Sequence, residues 1–284
     1  MIIFPYQAGR RLFVGAAADF TVIGGVGSYA LTGAAATLKS SRPLVAAPGS
    51  YALTGSDATL TKVSVGGAPS IAVVGTQQGA LGNPTYEVPV GYAANDVALL
   101  LVETANEVVT TPTGYTALTA YGAGTGGDVA ATRVSSFWKR LAASEAGAEI
   151  ADAGDHVLCR MVIVRGCTTS GTPVSVLNGV AGSVTANPIS FGAMSTALAN
   201  TLVLHVISDP EDLTTAFMTT GAWSSPNLTD TDEEFDAAAG SGNGGGMAGF
   251  SGVKATAGTL GTVTGTTTRT LPRNMARVTF AFVP

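Results

Sequence analysis

The chain has 284 residues and a formal net charge of −5, and only 12% of its residues are charged, about half the usual quarter. Phosphate binding needs clusters of Lys and Arg, and the only close basic pairs are Arg10-Arg11 and Lys139-Arg140, so no nucleic-acid partner is expected. No run of about 20 apolar residues occurs, so no membrane insertion is expected, and Met1–Gln7 is too short and wrongly flanked for a secretory signal.

Taken in chain order, the first feature is an exact repeat. Gly27-Ser-Tyr-Ala-Leu-Thr-Gly33 recurs as Gly49-Ser-Tyr-Ala-Leu-Thr-Gly55, and Ala36-Thr-Leu38 recurs as Ala58-Thr-Leu60, a period of 22 residues. Each copy reads as a small hairpin in which Tyr29 and Leu31 alternate with small neighbours, Gly33 turns, and Thr37-Leu38 begins the return. One such unit cannot bury its apolar face alone. Residues 1–66 are therefore an N-terminal arm, ending at the hinge Gly66-Gly67-Ala68-Pro69. Short strands separated by Gly, Pro, Asn and Asp follow, at Ser70–Val74, Thr85–Val90, Asp96–Glu103, Tyr115–Thr119, Ala131–Arg140 and His156–Arg165. The one helix candidate, Ala142–Ala148, is short enough to be a turn.

The region 67–284 also reads as a duplication with halves 67–166 and 167–284. Ala94-Asn95 and the apolar strand to Val102 match Ala199-Asn200 and the strand to Ile207. An acidic turn follows each strand, then Thr113-Gly114-Tyr115 or Thr220-Gly221-Ala-Trp223, then a glycine-rich loop. The halves close alike, on Cys159–Val164 and Ala276–Phe282. The expected fold is all-β: N-terminal repeat hairpins, then one jelly-roll-like antiparallel β-sandwich of two pseudo-repeated halves, in preference to two tandem sandwiches.

Few side chains suggest chemistry. Gly122-x-Gly124-x-x-Gly127 and Gly244-x-Gly246-x-x-Gly249 match a dinucleotide fingerprint in letters only, because strand-like segments follow where a helix is required, so they read as β loops. Cys159 and Cys167 are too far apart along one strand to bridge and read as free buried thiols. His156 reads as a turn residue and His205 as a hydrogen-bonded core or interface histidine, with no G-x-S-x-G nucleophile to serve. The run Asp230–Asp236 reads as a solvated acidic loop, with a structural cation or a glycosidase carboxylate pair as the sharper alternatives. Trp223 and Tyr115 are the candidates for stacking against a sugar, Trp223 being the better placed in its Gly/Ser/Pro setting.

Three stretches carry a resemblance: Val88–Val97 with Thr110–Tyr115; Ala153-Gly-Asp-His156 before the strand ending Val164-Arg-Gly166; and Asn243–Gly246 with Gly252–Gly258. With the repeat at Gly27–Gly33, the chain resembles virion structural proteins of tailed bacteriophages and prophages, of the tail-fibre, minor-tail or head-fibre type. The resemblance implies a non-enzymatic virion subunit with no catalytic residues and no cofactor, assembled in the bacterial host's cytoplasm. A homotrimer is the expected state, bound to other virion proteins through residues 1–66 and, as an alternative role, to a host-surface glycan.

Overall fold

The structure, a computed structural model, describes the backbone of Leu12–Phe13, Tyr29–Thr32 and Tyr51–Thr54, and residues 67–284 other than 77, 81–84, 128–129, 152–156, 212–215 and 239–244. The chain divides into two compact units, Met1–Val65 and Gly66–Pro284.

In the first unit, β1 (Leu12–Phe13), β2 (Tyr29–Thr32) and β3 (Tyr51–Thr54) form a three-stranded sheet with β2 in the middle. Both pairings are parallel, and the repeats are in register: Tyr29 lies beside Tyr51, Ala30 beside Ala52, Leu31 beside Leu53 and Thr32 beside Thr54. The described strands thus pair copy to copy. Parallel neighbours need a connection of a dozen or more residues, which the repeat period provides. Identical strands then stand at matching register positions, so each repeat supplies the strand partner that the other needs. Thr37 and Leu38, the expected return segment, lie outside the described residues.

The second unit is all-β, with no helix among the described residues. Its first half holds β4 (Ser70–Val74), β5 (Gln78–Ala80), β6 (Thr85–Tyr86), β7 (Val97–Thr104), β8 (Thr116–Ala123), β9 (Thr132–Arg140), β10 (Ala148–Glu149) and β11 (Val157–Arg165). The second half holds β12 (Val174–Val184), β13 (Ile189–Ser190), β14 (Ser195–Thr196), β15 (Thr201–Asp209) and β16 (Met218–Ser224). It continues with β17 (Thr229–Ala238), β18 (Gly246–Lys254), β19 (Gly258–Thr259), β20 (Thr264–Thr267) and β21 (Arg273–Phe282).

Each half builds one large antiparallel sheet. Sheet 1 runs β4-β11-β7-β9-β8, with β5 also on β11, and sheet 2 runs β12-β21-β15-β18-β17. With the five long strands of each half numbered in chain order, both sheets read first, fifth, second, fourth, third. Finer details repeat as well. Asn95 and Asn200, each just before the second strand, both take positive φ (72° and 55°). Their N–H groups bond the carbonyls of Leu141 and Ala255, each just past the fourth strand. A β-bulge interrupts the third strand at the same place in both, between Ala117 and Thr119 and between Glu233 and Phe235. The jelly-roll expectation implied a chain alternating between sheets; here the chain completes sheet 1 before it enters sheet 2 at β12.

The sheets pack face to face over one core that includes Leu99, Leu101, Val134, Val162, Leu204, Val206, Val278 and Phe280. Alternate residues of the central strands point the other way, into outer layers. In β7, Ala98, Leu100 and Val102 join Tyr86, Tyr115, Phe137 and Ile150 over sheet 1. On sheet 2, Val203 and Ile207 join Ile189, Phe217, Met218 and Leu260. This double coverage explains why Val97–Val102 is an unbroken apolar run even though its sheet is antiparallel: all eight residues of β7 are buried. Each fully buried Leu or Val contributes about 1.5–3 kcal/mol.

One polar chain crosses the core between the sheets. The Ala276 N–H donates to Ser208 Oγ (3.3 Å), Ser208 Oγ lies 2.7 Å from Thr132 Oγ1, and Thr132 Oγ1 donates to Glu103 Oε1 (2.7 Å). With the proton order this chain requires, Ser208 donates to Thr132. The chain thus supplies the buried Glu103 carboxylate with a donor at Oε1.

Candidate functional site

The two candidate sugar-stacking residues lie on opposite outer faces of the sandwich, so they form no common platform. Tyr115 sits in the layer over sheet 1, only 8% exposed. Its ring meets Tyr86 edge to face at 5.8 Å, and Lys139 Nζ stands 5.0 Å from its centroid. Burial pushes the Tyr115 phenol well above its ordinary range. No face of this ring is presented to a glycan, because the apolar underside of sheet 1 requires the tyrosine as cover.

Trp223, on β16, is half-buried over sheet 2. Its indole stacks on Phe250 at 5.2 Å with the planes 4° apart and touches Phe191 at 5.7 Å. Its Nε1–H donates to Glu233 Oε2 at 3.1 Å. One face and the only polar atom of the indole are thus spent inside the protein, pinning β16 onto β17 and β18. His205 completes this aromatic cluster, 5.2 Å from Phe191 and 6.3 Å from Phe250.

His205 is fully buried, with Nδ1 2.8 Å from Thr279 Oγ1. Burial lowers its pKa to about 3, so the imidazole is neutral, as a core histidine should be. Cys159 and Cys167 are free and buried, and burial pushes both thiols up to about 12, which keeps them protonated and unreactive. They face different ways: Cys159 belongs to the outer layer of sheet 1 and Cys167 to the inter-sheet core. His156 lies outside the described residues.

The acidic run forms the edge strand β17, correcting the loop expected from its carboxylates. Its acids are dispersed among separate partners. Glu233 holds Trp223, Glu234 accepts from Ser251 Oγ (2.5 Å), and Asp236 accepts from the Phe217 and Met218 N–H groups (3.0 and 2.8 Å). Burial raises the pKa of Glu234 and Asp236. Among the described residues no group of three or more His, Cys, Asp and Glu is placed to hold a metal ion.

The glycine motifs fall in β structure. Gly122 lies in β8, and Gly124 and Gly127, with φ of 91° and 77°, make the turn that follows. Gly249, inside β18, lies under the Phe235 ring, whose Cε1 would come within 2.4 Å of an added Cβ. Neither segment opens a helix, so neither cradles a pyrophosphate.

Three features were not singled out from the sequence. Arg273 bridges Asp209 (2.9 Å) and Glu211 (2.5 Å), and Arg269 joins the same two acids. Arg160, on the core side of β11, lies 4.8 Å from the Phe235 ring and donates to the Gly75 carbonyl (3.1 Å). The third is a groove of about 210 Å³ on the outer face of β8 and β9, lined by Val108, Ala117, Arg133, Ser135 and Phe137 among others. Val108 stands at this groove 74% exposed. No helix among the described residues is long and apolar enough to cross a membrane.

No family model, no curated protein and no solved structure matches the chain.

Proposed function

We propose that the chain is a non-enzymatic structural subunit of a tailed-phage virion, a tail-fibre or tail-tip protein. In this reading residues 1–66 dock to other virion proteins, and residues 67–284 form an exposed sandwich. The observation that carries it is the in-register parallel pairing of the two exact repeats, in a unit separate from the sandwich. Among the described residues, β1 and β3 each keep one edge without a strand partner. Such edges accept further strands, which suits an arm that attaches by β-augmentation. The low charge of the whole chain supports a surface covered by neighbours, and a homotrimer is the assembly we propose. Head fibre and capsid decoration protein are the alternative positions. The host-glycan reading gains no support from the burial of Tyr115 and the internal stacking of Trp223.

Deletion of residues 1–66 tests the reading. The expected result is a remainder with an unchanged β circular-dichroism spectrum that is missing from purified particles by mass spectrometry. A truncated chain present at full copy number would overturn the docking role. A density map of whole particles then separates tail from head, and light scattering separates a trimer from other states.

A further inference from the structure

The duplication supplies an internal comparison for His205. Leu100 pairs with Phe137 in sheet 1, as His205 pairs with Phe250 in sheet 2. An imidazole in the outer layer of sheet 2 thus stands where sheet 1 carries an isobutyl group. Its Nδ1 has a partner in Thr279, but Nε2 is buried with no hydrogen-bond partner among the described residues. The charged groups of the surrounding strands are engaged elsewhere. On β17, Glu233 accepts from Trp223 and Asp236 from the Phe217 and Met218 N–H groups. Asp209 holds Arg273, Arg277 donates to the Ser190 carbonyl (2.5 Å), and Lys254 Nζ lies 3.4 Å from Thr256 Oγ1. None of β12, β13, β16 and β20 carries a charged residue.

Below the ring the structure is firm, since β15 is laddered to β18 on one side and to β21 on the other. The cover is lighter. Phe191 lies 5.2 Å from His205 and closes the cluster from the β13 side. β13 is two residues long, at the edge of the sheet β13-β20-β16. Side-chain bonds tie it to sheet 2, from Asn178 Nδ2 to the Phe191 carbonyl (3.0 Å) and from Arg277 to Ser190. We propose that Ile189–Phe191 is an acid-released lid: protonation of His205 lifts this segment off sheet 2 and admits water to the ring, while the inter-sheet core stays folded. In the imidazolium both ring nitrogens carry protons. Thr279 Oγ1 accepts one, and no acceptor stands at Nε2 among the described residues, so the closed state holds an unmet buried charge. Lifting Phe191 brings water to that nitrogen at the loss of a few contacts, whereas moving β15 breaks two ladders. The inference goes beyond the virion reading and holds wherever the subunit resides.

Amide hydrogen exchange of the full chain between pH 6.5 and 4.5 is the test, read as protection factors. A ring that titrates near 6.5 when open and at about 3 when closed favours opening about tenfold for each pH unit lost in this window. The Phe191 N–H, which donates to the Val263 carbonyl (3.0 Å), should therefore lose protection about a hundredfold, with little dependence on added urea. Val206 in β15 should remain better protected throughout and exchange only in the urea-dependent global transition. His205→Gln should abolish the acid slope at Phe191. His205→Leu, which installs the side chain of the counterpart position, should do the same and serves if the glutamine variant fails to fold. Asn178→Ala should speed Phe191 exchange about tenfold at every pH without changing the slope. The proposal is overturned if Phe191 protection does not change with pH, if Phe191 and Val206 lose protection together with one urea dependence, or if a folded His205 variant keeps the slope.

Discussion

In sheet 1 Phe137, paired with Leu100, is buried in the layer that holds Tyr86, Tyr115 and Ile150, while in sheet 2 its counterpart Phe250, paired with His205, lies under the ring of Trp223. Strand order, the left-handed Asn before the second strand and the bulge in the third strand are shared by the two halves. The covers are not. Sheet 1 is covered by Tyr86, Tyr115, Leu141 and Ile150, with Lys139 held to Glu145 at 2.5 Å beside them. Sheet 2 is covered by the three-stranded sheet β13-β20-β16 and its aromatic cluster. The difference teaches that the inter-sheet core fixes the framework, because every inward residue has to fit the opposite sheet. The outer layers answer only to their own sheet and are free to differ.

If one core serves both halves, equivalent truncations should act alike. Leu99→Ala and Leu204→Ala, at matching positions in β7 and β15, should each cost about 2–5 kcal/mol in urea unfolding. Both should shift a single transition seen by circular dichroism and fluorescence together. Loss of one half with the other intact would break the comparison.

The outer layers should differ in their response to acid. The unfolded histidine titrates near 6.5 and buried His205 at about 3. Stability from keeping it neutral is therefore complete above pH 6.5 and is lost as pH falls toward 3. Between pH 7 and 4.5 this amounts to about 2–3 kcal/mol, and His205→Gln should flatten that part of the profile. An unchanged slope in the variant would place the acid sensitivity elsewhere. In sheet 1 the Leu100 position, equivalent to His205, carries no titrating group.

Trp223→Ala should cost about 2 kcal/mol, since a half-buried indole loses its stacking partner and its bond to Glu233. A cost near zero would show that β16 is held without it. The smallest effect concerns the seam between the sheets. A Cβ at Gly179 in β12 would come within 2.0 Å of the Tyr121 ring on β8. Gly179→Ala should cost about 1–2 kcal/mol, and Tyr121→Ala in the same chain should relieve part of it. Strict additivity in that cycle would mean the two do not touch.

Much of the framework was legible. β4 spans the five residues expected, and β7, β9 and β11 begin within one residue of expectation, because apolar runs bounded by Gly, Asn and Asp are strong strand signals. The duplication was legible because central strands buried on both faces tolerate little but Val, Leu, Ile and Ala. The pairing of the repeats was not, since one strand sequence serves a hairpin or a stacked parallel sheet equally well. β17 was read as a loop because five carboxylates in seven residues oppose strand propensity; its edge position and separate side-chain partners override that. The burial of Tyr115 and Trp223 depends on which layer covers which sheet, and that is a tertiary fact. The groove joins β8 and β9 to the segment around Val108, and that is a tertiary fact as well.

The central claim is that two duplicated sheets share one core in a unit separate from the repeats. Calorimetry of residues 67–284 alone tests it most directly. The account predicts one reversible transition whose calorimetric and van't Hoff enthalpies agree. Two resolved transitions, or no folded state without residues 1–66, would contradict it.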